Sequence, residues 1–161
     1  MIRIIDRTDI PECAEVIRKS FLTVAKEFGL TRENAPRFTA FSVNEERLLY
    51  QLDVQQRLMV GWEDKNGRLI GFYSILPKND TECELGSLCV LPEFRNNRIG
   101  TMLLADSFSR AKKAGFSQMN ISIIEENSRL RKWYEDKGFV HTDTEKFDFF
   151  PFTCGYLSRE L

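Results

Sequence analysis

The types and spacing best suited to chemistry lie mid-chain, in Arg95, Asn96, Asn97, Arg98, Ile99, Gly100 and Thr101. An apolar strand, Glu84 to Val90, feeds this run through Pro92. A helix carrying Ile99, Met102, Leu103 and Leu104 leaves it. A strand that enters a helix through a polar turn presents free backbone N–H groups at the helix start. Those donors and the helix dipole attract anions. Arg95 and Arg98 add positive charge, and Thr101 adds a hydroxyl. The chemistry implied is phosphate binding. Other site types lack their residues. His141 is the lone histidine. Cys13, Cys83, Cys89 and Cys154 have no CxxC or metal spacing and read as buried thiols of a cytoplasmic protein, so no metal set is offered.

The run resembles the acetyl-CoA-binding core of the GNAT acyltransferases. Their pattern is a strand ending in Val-x-Pro, an aromatic residue, then Arg/Gln-x-x-Gly-x-Gly/Ala. Val90, Pro92, Phe94, Arg95 and Gly100 match; Arg98 stands where the family usually has Gly. A second stretch, Asn127 to Val140, resembles the family's later segment: Asn, a helix, aromatic-Tyr-Glu (Trp133, Tyr134, Glu135), then Gly138-Phe139 and a strand. The two matches span roughly residues 68 to 146, about half of the chain.

The resemblance implies an α/β (mixed α+β) fold, the GNAT acyl-CoA N-acyltransferase fold. It has a central mixed sheet of six to seven strands flanked by about four helices. It implies an N-acetyltransferase that uses acetyl-CoA as co-substrate and acetylates a primary amine of a small molecule or peptide by direct attack. The pyrophosphate is then expected on the N–H groups from Arg95 to Gly100, with Thr101 beside them. The pantetheine arm is expected along Leu88, Cys89 and Val90, with the Val90 region facing the thioester oxygen. A side chain at Arg98 must point away from the pyrophosphate, toward another phosphate or the adenosine end. Asn127 matches a coenzyme-contacting Asn and is equally a helix N-cap; both roles can hold at once. Tyr134 matches the tyrosine near the thioester sulphur, and otherwise reads as a core residue beside Trp133. A phenol of pKa ~10 against a thiol of ~8.5 puts proton transfer uphill by roughly 2 kcal/mol, so a hydrogen bond to the departing thiolate suffices. Glu84, six residues before Val90, matches the offset of the glutamate base in histone-type members. It reads alternatively as an exposed carboxylate near a strand end. The competing function is a CoA-binding sensor of the same fold without turnover. Arg98 favours it; Tyr134, Asn127 and Glu84 together argue against it.

The elements that must position these residues fit one domain, residues 1–161, long enough for a substantial core. A net charge of −1 gives no bulk case for nucleic acid or membrane binding. No signal peptide is expected before the first strand, Ile2 to Ile5, and no apolar run reaches membrane-spanning length. Asp9, Pro11 and Glu12 predict a capped helix that stops near Gly29. Ser42-Val43-Asn44-Glu45 predicts a capping box for a second helix. The aromatics Phe28, Phe38, Phe41 and Tyr50 either line an acceptor pocket or pack between helices and sheet. Strands are expected at Arg57 to Trp62, Arg68 to Leu76 and Glu82 to Val90, with a bulge or close approach at Gly86. A helix from about Asn97 to Ala114 and a strand at Gln118 to Ile124 predict a right-handed parallel crossover. A last helix ends at Gly138, and closing strands cover Val140 to Lys146 and Gly155 to Leu161. Its basic residues Arg129, Arg131 and Lys132 read as a solvated face or as phosphate contacts. The aromatic run Phe147 to Phe152 plugs the sheet edge, lines the acceptor site or makes a homodimer contact.

Overall fold

The computed structural model describes all residues, 1–161. Strand β1 (Ile2–Ile4) leads into helix α1 (Ile10–Glu27). A short helix α2 (Thr39–Ser42) and helix α3 (Glu45–Asp53) follow. Then come β2 (Leu58–Glu63), β3 (Leu69–Pro77) and β4 (Glu82–Val90). The chain continues through α4 (Ile99–Lys113), β5 (Gln118–Ile124), α5 (Ser128–Glu135), β6 (Val140–Lys146) and β7 (Thr153–Glu160). The strands form one sheet in the order β1-β2-β3-β4-β5-β7-β6. All pairs are antiparallel except β4 with β5. That parallel pair is forced by α4, which carries the chain back across the sheet. The main core lies where α1 and α4 pack on β3 and β4, among them Ile17, Phe72, Tyr73, Leu103, Leu104 and Met119.

Two predicted caps shift. Asp9 does not cap α1. The reciprocal box sits one turn earlier: Asp6 accepts from the Thr8 N–H at 2.7 Å, and Asp9 accepts from the Asp6 N–H at 2.9 Å. Asp9 is committed elsewhere, because it also takes the Arg3 guanidinium at 2.7 Å. Glu12 is thereby free to accept from the Leu69 N–H at 2.9 Å, which ties α1 to β3. In the second motif Asn44, not Ser42, caps α3, accepting from the Arg47 N–H at 2.8 Å. Ser42 has already been used as the last residue of α2.

The irregularity expected at Gly86 falls one residue later. Phe72 pairs with Cys89 and Ser74 pairs with Gly86, so the single residue Tyr73 faces both Ser87 and Leu88. Ser87 takes the left-handed conformation, φ +52°, as the first bulge residue does in the G1 type. Gly86 serves as the close approach instead. A Cβ there would meet the Arg57 Nη1 at 3.0 Å and the Ser74 Oγ at 3.1 Å.

Candidate active site

β4 and β5 pair only from Glu82 to Glu84, opposite Gln118 to Asn120. Past that point they diverge, and the fork leaves the Leu85–Val90 edge without a neighbouring strand. A cavity of about 660 Å3 opens against it. Its walls are Leu88, Cys89 and Val90 of β4, the turn and start of α4, one face of α1, and Asn127, Arg129, Leu130, Trp133 and Tyr134 of α5.

Of the residues expected to hold a coenzyme, Leu88, Cys89, Val90, Arg95, Asn96, Arg98, Ile99, Gly100, Thr101, Asn127 and Tyr134 line this one cavity. Asn97 does not. Its amide turns back to the Phe94 and Arg95 carbonyls at 3.2 and 3.4 Å and shapes the loop. The backbone N–H groups from Asn96 to Thr101 have no backbone partner. Asn96 and Arg98 sit at φ +64° and +62°, which turns successive N–H groups to one side as an anion-binding nest. The usual glycine at position 98 has the same cause: the left-handed region costs an L-residue about 1 kcal/mol or more. Gly100 is not there to relieve packing. The nearest atom to a Cβ placed on it is the Val90 Cγ2 at 3.9 Å, so its missing side chain keeps the row of donors open.

Arg95 has a different duty from the one its sequence position suggests. Its guanidinium donates to the Val90 carbonyl at 3.0 Å, the Ser20 carbonyl at 2.9 Å and the Thr23 hydroxyl at 2.9 Å. It clamps α1 to the end of β4 and is not a free phosphate ligand. Arg129 pairs with Glu27 at 3.0 Å across the cavity rim, joining α5 to α1. Arg131 is held by Glu125 and Glu135, and Lys132 by Asp136, so neither is free for a phosphate.

Asn127 accepts from the Leu130 N–H at 3.2 Å as the α5 cap and keeps a place on the cavity wall. Tyr134 is 7 % exposed, with its ring edge-on to Trp133 and Phe139 at 4.9 and 5.3 Å. Burial holds its pKa above the usual phenol value, and the neighbouring Cys89 pushes the same way. Burial likewise lifts the Cys89 thiol to about 12, leaving no thiolate to act as a nucleophile.

Glu84 lies outside this cavity. It borders a second one of about 240 Å3, together with Phe21, Arg47, Arg57, Leu85, Gly86, Ser87 and Ser122. Its side chain is 35 % exposed and stands 3.6 Å from the Lys78 ammonium.

The loop aromatics do not line either cavity. Phe38 is buried against Phe21 and Phe152, with Phe28, Phe41 and Phe150 packed beside it; Tyr50 is exposed. The Phe147 to Phe152 run folds back on this cluster. Phe150 stacks on Phe152 at 4.6 Å, and Arg37 covers Phe149 at 4.2 Å. The loop therefore seals the small core under α2.

Sequence reasoning missed the wall given by α1. Ser20, Phe21, Thr23, Val24 and Glu27 face the cavity. The Ser20 hydroxyl is buried beside the Cys89 thiol. Nothing in the helical pattern of α1 marks those positions, because its apolar stripe serves both core and cavity.

The acetyltransferase (GNAT) family model matches residues 23–139. The chain belongs to the GNAT acetyltransferase family. Among its relatives is an uncharacterized N-acetyltransferase of Mycobacterium tuberculosis strain H37Rv, 23% identical over 87% of this chain and 88% of the relative. Another is an amino-acid acetyltransferase of Pseudomonas putida, 28% identical over 82% of this chain; that match spans only 29% of the longer relative. A GNAT fold is also seen in the PaiA N-acetyltransferase of Thermoplasma acidophilum, solved in complex with coenzyme A. It has a TM-score of 0.84 and 22% identity, over 100% of this chain and 98% of that one. The whole of this chain's seven-stranded mixed sheet lies within the part that superposes on that structure. No helix of the chain is long and apolar enough to cross a membrane.

Proposed function

We propose that the chain is an acetyl-CoA-dependent N-acetyltransferase acting on a primary amine by direct attack. The observation that carries this reading is the row of unpaired N–H groups from Asn96 to Thr101, opening on the cavity that also holds Tyr134 and Asn127. The cavity fits a coenzyme: it offers free donors at one end and an unpaired strand edge along one side. The chemistry acetyl-CoA supplies when bound is an acyl thioester: a nitrogen–carbon bond forms, the carbon–sulphur bond breaks, and coenzyme A leaves.

The chain's residues do the rest. Backbone N–H groups from Asn96 to Thr101 hold the pyrophosphate. The free edge at Leu88, Cys89 and Val90 aligns the pantetheine arm, and the bulge aims a backbone N–H at the thioester oxygen. Glu84 takes the ammonium proton, directly or through water. The Tyr134 hydroxyl, kept protonated by burial, donates a hydrogen bond to the sulphur as it gains charge. Cys89, with its thiol pushed up to about 12, needs no acyl-enzyme role.

Calorimetric titration with acetyl-CoA, with dephospho-CoA as the control, tests the site. Binding at micromolar affinity and thiol release on adding primary amines are expected. Absence of binding at high micromolar acetyl-CoA would overturn the reading.

A further inference from the structure

The smaller cavity begins where the larger one stops. Leu85, Gly86 and Ser87 of β4 border it, Ser122 faces it from β5, and Phe21 belongs to both. An amine reaching the bulge from this side would meet the thioester end of a coenzyme lying in the other. Two arginines stand on its wall, Arg47 of α3 and Arg57 of the loop before β2. Neither forms an ion pair in the chain, and of the two only Arg57 is withdrawn from solvent.

Arg57 is built into its place. Its Nε donates to the Gln55 side chain at 2.7 Å. Gln56, just before it, is strained into the left-handed region at φ +52°. The Arg57 Nη1 occupies the space over Gly86, 3.0 Å from where a Cβ would stand, one residue before the bulge. Burial lowers its pKa from the usual guanidinium value. Its nearest opposite charge, Glu84, lies beyond ion-pairing distance, so a half-buried guanidinium keeps donors free for an anion in the cavity. The one acidic residue on this wall is Glu84.

We propose that this cavity selects an acceptor carrying a carboxylate, an α-amino acid, with the carboxylate on Arg57 and Arg47 and the amine directed to Glu84 and the bulge. This rests on the acetyltransferase reading above. The volume, about 240 Å3, suits a single amino acid. A polycationic amine would face two guanidinium groups and a single carboxylate, Glu84.

The test is thiol release from acetyl-CoA with the common L-amino acids, each compared with its own α-carboxamide. The carboxamide removes the charge at nearly constant shape and has the less basic amine, so chemistry alone favours it. At least one amino acid is expected to exceed its carboxamide in kcat/KM by about tenfold or more. Arg57→Gln should raise KM for that amino acid by about tenfold and abolish the preference, and Arg57→Lys should recover part of it. Arg47→Gln, at an exposed helix position, is the second variant and should weaken the preference. Calorimetric acetyl-CoA binding by each variant reports that it is folded. Acceptance of no amino acid, equal use of carboxamides, or a preference unchanged in both arginine variants would overturn the inference while leaving the acetyltransferase reading in place. Loss of coenzyme binding in the unmodified protein would remove both.

Discussion

Tyr134 holds its ring in the core and its hydroxyl on the cavity, and that division defines what the residue can do. A buried phenol with a raised pKa is a poor acid and a dependable hydrogen-bond donor. Tyr134→Phe keeps the ring edge-on to Trp133 and Phe139 and removes only the donor. Loss of a hydrogen bond to a charged sulphur should lower kcat by about tenfold to a hundredfold. The acetyl-CoA dissociation constant should stay within about twofold, by calorimetry. An equal loss in binding would assign Tyr134 to coenzyme affinity instead. The sign of its pKa shift adds a second expectation: no limb of the pH–rate profile below about pH 10 should belong to this phenol. Asn127 shows the same economy in another form, since its side-chain Oδ1 caps α5 while the residue still lines the cavity wall.

At the scale of elements, the site is made by places where regular structure is interrupted. The non-glycine residues at positive φ are Gln56, Ser87, Asn96 and Arg98. Ser87, Asn96 and Arg98 are on a cavity wall, and Gln56 sets up Arg57, which is on one. The bulge at Ser87, the fork past Glu84 and the nest before α4 depend on β4 being held rigidly from both sides. Arg95 fixes its end to α1, and α4 packs against it. Gly71, opposite Val90 in β3, lets α4 come that close. A Cβ at Gly71 would lie 2.9 Å from the Leu103 Cδ1 and 3.3 Å from the Cys89 carbonyl. Gly71→Ala should therefore destabilise the protein by about 1–3 kcal/mol, read as a lower urea midpoint with unchanged slope. An unaffected midpoint would show that α4 can move away from the sheet freely.

Over the whole molecule, the cysteines report how well the core is closed. All four thiols are free and buried. Burial pushes Cys13 and Cys89 to about 12 and Cys83 to about 11. Tyr73, buried and hydrogen-bonded to Asp106 at 2.6 Å, is raised as well. Each group holds its proton more tightly folded than unfolded. The associated stability is thus intact below the unfolded thiol value of ~8.5 and is lost as pH rises toward the folded values. Each buried thiol costs about 1.4 kcal/mol per pH unit in that window. Urea midpoints followed by circular dichroism should fall steadily from about pH 8.5 to pH 10 at constant ionic strength. A flat profile would mean that these thiols are open to water in the native state.

The sequence by itself determined the order of the elements apart from α2, the position of the polar turn before α4 and the two motifs that mark the family. These are local properties: hydrophobic period, turn residues and short fixed spacings act between neighbours in the chain. Arg95 shows where that reach stops. Its position beside the turn is legible, but its partners Ser20 and Thr23 lie more than seventy residues away. Likewise Phe38 and Phe41 were open to two readings until Phe150 and Phe152 were brought against them. Glu84 and Arg57 share a cavity only because α3, β4 and the loop before β2 meet at the fork. Which face a side chain presents, and which distant charge it meets or lacks, depends on pairing register and packing across the sheet, and only the tertiary structure decided those.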